Sequence, residues 1–271
     1  MQRPVSPRGY LIDIEGVLVH DKRYVPVEGS VGWLERVAAA GMPFCLVSNN
    51  TTHRPASLAA SLAAAGFPVT AEHLLTALGL GVRWLRERNL RRILWLGQDD
   101  LRDYLADEGI EAVEAGSCDA VVLGANPVLT VAALEKALEP LMENGVDLIC
   151  LNRNTHFHDG RGILRYGPGA WAACLEALGG RGRVVTVGKP SETIYNEGLN
   201  RVGVAPSETL FISDDPIADL ATASRMGMRT AFVLSGKYRD HEVLGRLAEV
   251  NWPDVICARL GDIAIPGKRN D

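Results

Sequence analysis

Residues 8–20 constrain the fold most. Within them Tyr10-Leu11-Ile12-Asp13-Ile14-Glu15-Gly16-Val17-Leu18 climbs through an apolar run to an acid, then a second acid two residues on, then a glycine. A short apolar run bounded by a turn residue reads as a buried strand, with Gly16 ending it or making it turn. Asp13 and Glu15 then sit at the C-terminal end of a strand, where open α/β sheets place their sites. An aspartate there serves as nucleophile, metal ligand or both; a plain turn or cap residue is the alternative.

The rest of the chain repeats the theme. Ser30 is positioned to cap a helix over residues 31–40 that Gly41 stops, and Met42-Pro43-Phe44-Cys45-Leu46-Val47 predicts a second strand running into Ser48-Asn49-Asn50-Thr51-Thr52. A helix over 55–65 follows, then a long helical pattern over 71–89, so the section opens with a parallel crossover unit. From Arg91 the pattern restarts: a strand at Ile93-Leu94-Trp95-Leu96, an acidic amphipathic helix over 99–108, short strands near 111–114 and 120–123, a Thr130-capped helix over 131–144 and a strand over 146–151. This block reads as a second α/β domain inserted into the first. Residues 152–169 read as a long polar, glycine-rich loop, a length that is usually functional. A helix over 171–178 and a Gly179-Gly180-Arg181-Gly182 break lead to a strand over 183–187 that runs into Gly188-Lys189-Pro190-Ser191. A helix over 192–202, a strand over 208–212 ending in Ser213-Asp214-Asp215 with Asp219 beyond, a helix over 220–226, a strand over 229–234 and an edge strand over 255–257 complete the pattern.

The bulk properties narrow the function. The 271 residues suffice for one large domain or two modest ones, and a formal net charge of −5 argues against a nucleic-acid surface as the main business. The first eight residues carry no apolar signal core, and no run approaches the roughly 18–20 apolar residues of a membrane span, so no membrane partner and a cytoplasmic location are expected. The five cysteines, Cys45, Cys118, Cys150, Cys174 and Cys257, are odd in number, widely spaced and mostly inside apolar runs, which suits reduced core thiols better than disulfides or zinc.

Four strand ends carry distinctive polar groups: Asp13 with Glu15, Ser48-Asn49-Asn50, Lys189, and Asp214 with Asp215 and Asp219. Taken singly each has a bland reading as a cap, a helix start, a surface lysine or a turn. Taken as C-terminal edges of one doubly wound sheet, they converge on one task. Clustered carboxylates with little thiol or imidazole favour a hard, oxygen-liganded ion, hence Mg²⁺, with Asp13 and Asp214 as ligands. The ion and Lys189 would neutralise the charge that keeps a carboxylate from a phosphate dianion, and the Ser48, Asn49 and Asn50 loop would hold the phosphate oxygens. Attack by Asp13 gives an aspartyl-phosphate that water hydrolyses. Glu15 is placed to protonate the leaving oxygen and then to activate that water.

On these residues the chain resembles the haloacid dehalogenase (HAD) superfamily, in the branch of p-nitrophenyl-phosphatase-like and N-acetylglucosamine-operon phosphatases that carry a large α/β cap. The four family motifs are matched in order by Asp13-Ile14-Glu15-Gly16, Val47-Ser48-Asn49-Asn50, Val187-Gly188-Lys189-Pro190-Ser191, and Ser213-Asp214-Asp215 with Asp219. The resemblance implies a Rossmann-like core at 1–90 and 184–271 with an inserted cap at 91–183. It further implies Mg²⁺, an aspartyl-phosphate, a metal contact from the Glu15 main-chain carbonyl and often a homodimer formed through the caps. Three departures stand out. The second acid of the first motif, usually Asp, is Glu15, whose carboxylate lies one methylene (~1.5 Å) further out; a displacement near 1 Å can cost about 10²-fold in rate. The glycine usual before the fourth-motif acid is Ser213. The cap segment that often reads Asn-Pro-Asp is Asn152-Arg153-Asn154, which brings a cation in and is expected to shift preference towards a more acidic substrate.

The expectation is a Mg²⁺-dependent phosphatase of a small phosphorylated metabolite, with Asp219, and less directly Asp215, orienting metal-bound water or Lys189. Asn154, His156, His158 and Arg161 in the cap loop are candidate substrate contacts, and Lys237 and Tyr238 border the same strand edge. The alternative, motivated by Glu15, is a weakly active or inactive phosphate-ligand-binding regulatory protein. Trp33, Trp84, Trp95 and Trp171 are expected to pack.

Overall fold

A computed structural model describes residues 6–20, 23–159 and 161–266. Residues 1–5, within the opening segment expected to carry no signal core, and Gly160 of the cap loop lie outside the described residues. The chain forms two compact units. The first comprises Met1–Ser48, Ala56–Leu75 and Glu192–Asp271; the second comprises Asn49–Pro55 and Thr76–Ser191.

In chain order the elements are β1 (Gly9–Ile12), α1 (Ser30–Ala39), β2 (Phe44–Ser48), α2 (Pro55–Ala64), β3 (Leu74–Thr76), α3 (Ala77–Glu87), β4 (Arg92–Leu96), α4 (Arg102–Asp107), β5 (Glu111–Val113), β6 (Ala120–Leu123), α5 (Val131–Glu135), α6 (Leu138–Met142), β7 (Asp147–Cys150), β8 (His156–His158), β9 (Leu164–Tyr166), α7 (Pro168–Glu176), β10 (Val184–Thr186), α8 (Glu192–Val202), β11 (Thr209–Ser213), α9 (Ala221–Arg225), β12 (Arg229–Val233) and β13 (Val255–Cys257).

The first unit is built on a six-stranded sheet in the order β13-β12-β11-β1-β2-β3. The pairs β1–β11, β1–β2, β11–β12 and β12–β13 are parallel, with Ile12 opposite both Ile212 and Leu46. Both faces are covered, which is why these strands are almost continuously apolar. Alternation assigns the faces: Tyr10, Ile12, Leu46, Leu210 and Ile212 share a core with Trp33, Leu34 and Val37 of α1 and Leu58 and Leu62 of α2. Leu11, Val47 and Phe211 point the other way, towards α8, where a Cβ on Gly198 would come within 3.0 Å of Leu11 and the Tyr195 ring meets Phe211 edge-on at 5.5 Å. Trp33 packs as expected, edge-on to Tyr10 at 5.1 Å, with its indole N–H donating to the Ile263 carbonyl.

The second unit carries a five-stranded parallel sheet, β10-β7-β6-β4-β5, and a two-stranded antiparallel sheet, β8-β9. Its core gathers Leu94, Leu96, Val121, Leu123, Leu148 and Cys150 from the sheet with Leu134, Leu141, Ala172 and Leu175 from the helices. Strand β10 pairs with β7. Lys189 therefore follows a strand of this sheet, which corrects the expectation that all four polar strand tips belong to one sheet. The units divide at 48/49, 55/56, 75/76 and 191/192 and not at the expected 90/91 and 183/184.

Four local expectations are revised. Ser30 does not cap α1; it is the first helical residue and its hydroxyl donates to the Leu18 carbonyl, while Gly29, at φ 81°, is the N-cap. The helical pattern over 71–89 contains a short 3-10 turn and the buried edge strand β3 before α3 begins, with Thr76 capping it through the Gly79 N–H. The helix read over 131–144 breaks between Glu135 and Leu138 because Pro140 has no N–H to return to the carbonyl four residues back. The polar stretch over 152–169 contains the β8-β9 hairpin, whose three-residue strands are too short for alternation to register.

Candidate active site

Within the first unit the tips of β1, β2 and β11 and the loop after β12 bring acids and glycines together. Asp13 extends β1 by one residue: its N–H donates to the Ile212 carbonyl, and its Oδ1 accepts the Ile14 N–H at 2.8 Å. The neighbouring strand β11 ends at Ser213, so Asp214 leaves the same edge of the sheet. Each carboxylate residue is only 8% exposed. Asp214 Oδ2 accepts the Lys237 N–H at 2.6 Å. It also lies 2.0 Å from where a Cβ on Gly16 would stand and 1.9 Å from one on Gly236. Two glycines thus form a cradle that any side chain would fill, and Gly16 in addition has φ 80°.

The residues after Asp214 are braced from three sides. Asp215 Oδ1 accepts the N–H groups of Ile217 and Ala218, capping the π-helical turn Pro216–Leu220, and its Oδ2 accepts from Lys237 Nζ at 2.6 Å. Ser213 takes up two partners: its hydroxyl donates to Asp219 Oδ2 at 2.7 Å and accepts the Asp215 N–H at 3.1 Å. The Tyr195 hydroxyl donates to the Asp219 carbonyl at 3.1 Å. Burial, then the charges of Asp219, Asp13 and Asp215, push the Tyr195 phenol well above its ordinary value. Burial lowers Lys237, but the hydrogen bond and charge of Asp215 and the charge of Asp214 outweigh it and leave its ammonium raised. Tyr195 and the main-chain N–H of Lys237 were not singled out by sequence reasoning. A buried tyrosine hydroxyl on an amphipathic helix carries no sequence signal, and a backbone donor carries none at all.

Glu15 reaches Ser48. The Ser48 hydroxyl donates to Glu15 Oε2 at 3.2 Å, so the two sequence-predicted residues are bonded to each other. Burial, then the Glu15 charge, pushes the Tyr24 phenol up to about 12.

The second unit holds the other candidates. Asn49 is committed to Lys189: Asn49 Oδ1 accepts the Lys189 N–H at 2.8 Å, and Nδ2 donates to the Lys189 carbonyl at 3.1 Å and to Asn154 Oδ1 at 3.3 Å. Asn152 closes the set by donating to the Asn49 carbonyl and accepting the Asn154 N–H. Lys189 itself is 3% exposed. Asn50 Oδ1 accepts the N–H groups of Thr52 and His53, the local role of a turn residue. Arg153 donates to Glu176 Oε1 at 2.5 Å. The pair lies within the unit, with about a third of each side chain exposed. His156 and His158 are exposed and share one face of the hairpin with Tyr166 and Leu164, the residues opposite them. Arg161 is exposed, and its N–H donates to Asp159 Oδ1.

Among the described residues no three His, Cys, Asp or Glu side chains form a ready metal cage. A hard divalent cation held by one or two carboxylates, with water and substrate phosphate completing its shell, does not need one. The oxygen-only donors Asp13 and Asp214 at neighbouring strand tips, with the glycine cradle beside them, fit such an ion.

Comparison with known proteins agrees with this architecture. A haloacid dehalogenase-like hydrolase family model matches residues 10–111, and a HAD-hydrolase-like model matches residues 186–263. Human chronophin is 30% identical over 256 residues, covering 89% of this chain and 86% of the relative. The ribonucleotide monophosphatase NagD of Escherichia coli K12 is 29% identical over 229 residues, covering 84% and 88%. Among solved structures, the p-nitrophenyl phosphatase from Archaeoglobus fulgidus superposes with a TM-score of 0.83 at 28% identity, covering 95% of this chain and 98% of that one. The chain belongs to the haloacid dehalogenase superfamily of hydrolases, in its NagD and p-nitrophenyl-phosphatase-like subfamily, and is an enzyme of the HAD-like phosphatase class.

Proposed function

We propose that the chain hydrolyses the phosphomonoester of a small metabolite by transferring the phosphoryl group to Asp13 and then to water. The first unit is the catalytic core and the second the cap. The observation that carries the reading is the placement of Asp13 and Asp214 at the same edge of adjacent parallel strands, with Gly16 and Gly236 leaving no room for a side chain against the Asp214 carboxylate. Mg²⁺, held by Asp13, Asp214 and the Glu15 main-chain carbonyl, supplies positive charge where a carboxylate must meet a phosphate.

A carboxylate oxygen of Asp13 attacks phosphorus as the bond to the leaving oxygen breaks, and Glu15 gives that oxygen its proton. Glu15, now a carboxylate, takes a proton from water as the water oxygen attacks phosphorus, which frees inorganic phosphate and restores Asp13. Ser48 and Lys189 bind the phosphoryl oxygens, with Asn49 fixing the Lys189 main chain and Asn50 shaping the loop. Asp219 and Asp215 hold the Asp214 loop. Asn154, His156, His158 and Arg161 are the candidate contacts to the rest of the substrate. A homodimer formed through the cap is part of the reading. Among the described residues no helix is long and apolar enough to cross a membrane, and the reading places the enzyme in the cytoplasm.

The test is turnover of a panel of phosphorylated sugars, nucleotides and pyridoxal phosphate with and without Mg²⁺. Wild-type release of phosphate that falls about 10⁴-fold or more in Asp13→Asn supports the reading, since losing a nucleophile leaves only binding and charge stabilisation. Undiminished turnover by Asp13→Asn refutes it. A second reading, ligand binding with little turnover, is favoured by the Ser48–Glu15 bond, which engages a phosphate-binding hydroxyl with the acid itself.

A further inference from the structure

The loop after β12 grips the tip of β11 at two consecutive residues. The main-chain N–H of Lys237 donates to Asp214 Oδ2, and the Nζ of the same residue donates to Asp215 Oδ2, each at 2.6 Å. The loop is anchored beside them, with the Ser235 hydroxyl donating to the Gly16 carbonyl at 2.6 Å and the Gly236 backbone pressed against Gly16. Asp215 is no loose partner, because its other oxygen caps the turn Pro216–Leu220. The ammonium lies 5.4 Å from the Tyr238 ring centroid, and the side chain is 46% exposed.

We propose that Lys237 is a positioning residue for Asp214. Its ion pair with Asp215 pins the loop, so its own N–H stays on Asp214 Oδ2 and sets how that carboxylate is turned before any cation arrives. The inference rests on the reading of Asp214 as a metal ligand. A half-exposed ion pair contributes little to stability by itself. Its effect is on affinity: a carboxylate already oriented by a charge-assisted bond loses less freedom when it takes up an ion.

Charge and position can be separated. Lys237→Met leaves Asp215 unpaired, and its field draws a cation in; Asp215→Asn leaves Lys237 unpaired, and its field pushes a cation out. The double variant is charge-balanced and lacks only the link, and the Asn retains a carbonyl oxygen to cap the turn.

The experiment measures Mg²⁺ binding to the full-length chain by calorimetry, with urea unfolding as the stability control. Mg²⁺ affinity is expected to fall about tenfold in the double variant, less in Lys237→Met and more in Asp215→Asn, as loss of preorganisation plus or minus one charge requires. Lys237→Arg keeps affinity within about threefold of wild type because it restores the ion pair. In the metal-free double variant the amide of residue 237 exchanges about tenfold faster than in wild type while the unfolding midpoint holds. A double variant that binds Mg²⁺ within about twofold of wild type overturns the inference, because charge alone then accounts for the single variants. So does a wild-type chain that takes up no Mg²⁺, whatever its turnover. The two readings fail separately. A chain that hydrolyses no phosphomonoester but shows these shifts keeps the inference and loses the proposed activity; an active chain whose double variant binds Mg²⁺ normally does the reverse.

Discussion

Replacing Glu15 by Asp shortens the side chain by one carbon–carbon bond, about 1.5 Å. The Ser48 hydroxyl, 3.2 Å from Glu15 Oε2, is then at most about 4.7 Å from that carboxylate oxygen if nothing else moves, and a retreat along the bond puts it outside hydrogen-bond range. A hydrogen bond this long contributes about 1.5 kcal/mol or less. A phosphate that needs the Ser48 hydroxyl must break that bond in the wild type and not in the variant. The gain, about 1.4 kcal/mol, is about tenfold in kcat/KM. Two substrates separate this effect from acid catalysis. An aryl phosphate has a good leaving group and reports the loss of the Glu15–Ser48 bond alone. An alkyl phosphate also needs its leaving oxygen protonated, so better placement of the acid adds up to about 10²-fold more. Steady-state kinetics of Glu15→Asp on both, with Ser48→Ala and the double variant as a cycle, apportions the terms. A fall in kcat/KM on both substrates, with the melting temperature unchanged, would show that this site is built around the longer acid and refute the reasoning.

Other variants test other contacts. Gly236→Ala places a methyl 1.9 Å from Asp214 Oδ2 and 2.6 Å from the Gly16 Cα, so the loop must shift; a loss of about 1–3 kcal/mol in urea unfolding is expected, with weakened Mg²⁺ binding. Arg153→Ala should leave the ratio of kcat/KM between dianionic and more highly charged substrates unchanged, because the guanidinium is already paired with Glu176; a changed ratio would place Arg153 against substrate. In the second unit, burial raises the Asp147 carboxyl, but hydrogen bonds and charge from Arg183 outweigh it and hold it below the ordinary 3.8. A depressed acid stabilises above its unfolded value and loses that contribution as pH falls through the folded one. Asp147→Asn should therefore destabilise the chain at neutral pH and lose its effect in acid below 3.8, as read by unfolding midpoints across pH.

What the sequence made legible was whatever depends on covalent order. Apolar runs that end in acids located β1 and β11, and a parallel sheet puts the ends of such strands at one edge whatever the intervening chain does. What stayed hidden depends on tertiary partners. Strand β10 reads as a short β-branched run, and nothing in Val184, Val185 or Thr186 says that they pair with Leu148, Ile149 and Cys150 and so belong to the other sheet. Asn49 looks like a phosphate donor by its place after β2, yet its amide matches the main-chain N–H and C=O of Lys189, a residue 140 positions away. Arg153 looked available because its partner, Glu176, lies three elements further on, at the end of α7.

The three departures from the family pattern become one physical statement when their partners are compared. Glu15 accepts from Ser48, Ser213 joins the Asp215 N–H to the Asp219 carboxylate, and Arg153 pairs with Glu176. Each departure adds polar reach, and each finds its partner within its own unit. An added polar group left without a partner in such buried or half-buried places would cost about 1–3 kcal/mol, so satisfied replacements are the ones a folded chain can carry. Two of the three, however, act on residues that the proposed chemistry needs in opposite conditions. Ser213 stiffens the loop that holds Asp214, which aids a step that demands fixed geometry. Glu15 engages the hydroxyl of Ser48, which hinders a step that demands an unengaged donor. If both effects operate, the chain should bind Mg²⁺ well and turn over slowly, and Glu15→Asp should raise turnover without changing Mg²⁺ affinity. A variant that moved both together would show that Glu15 acts on the cation and not on Ser48.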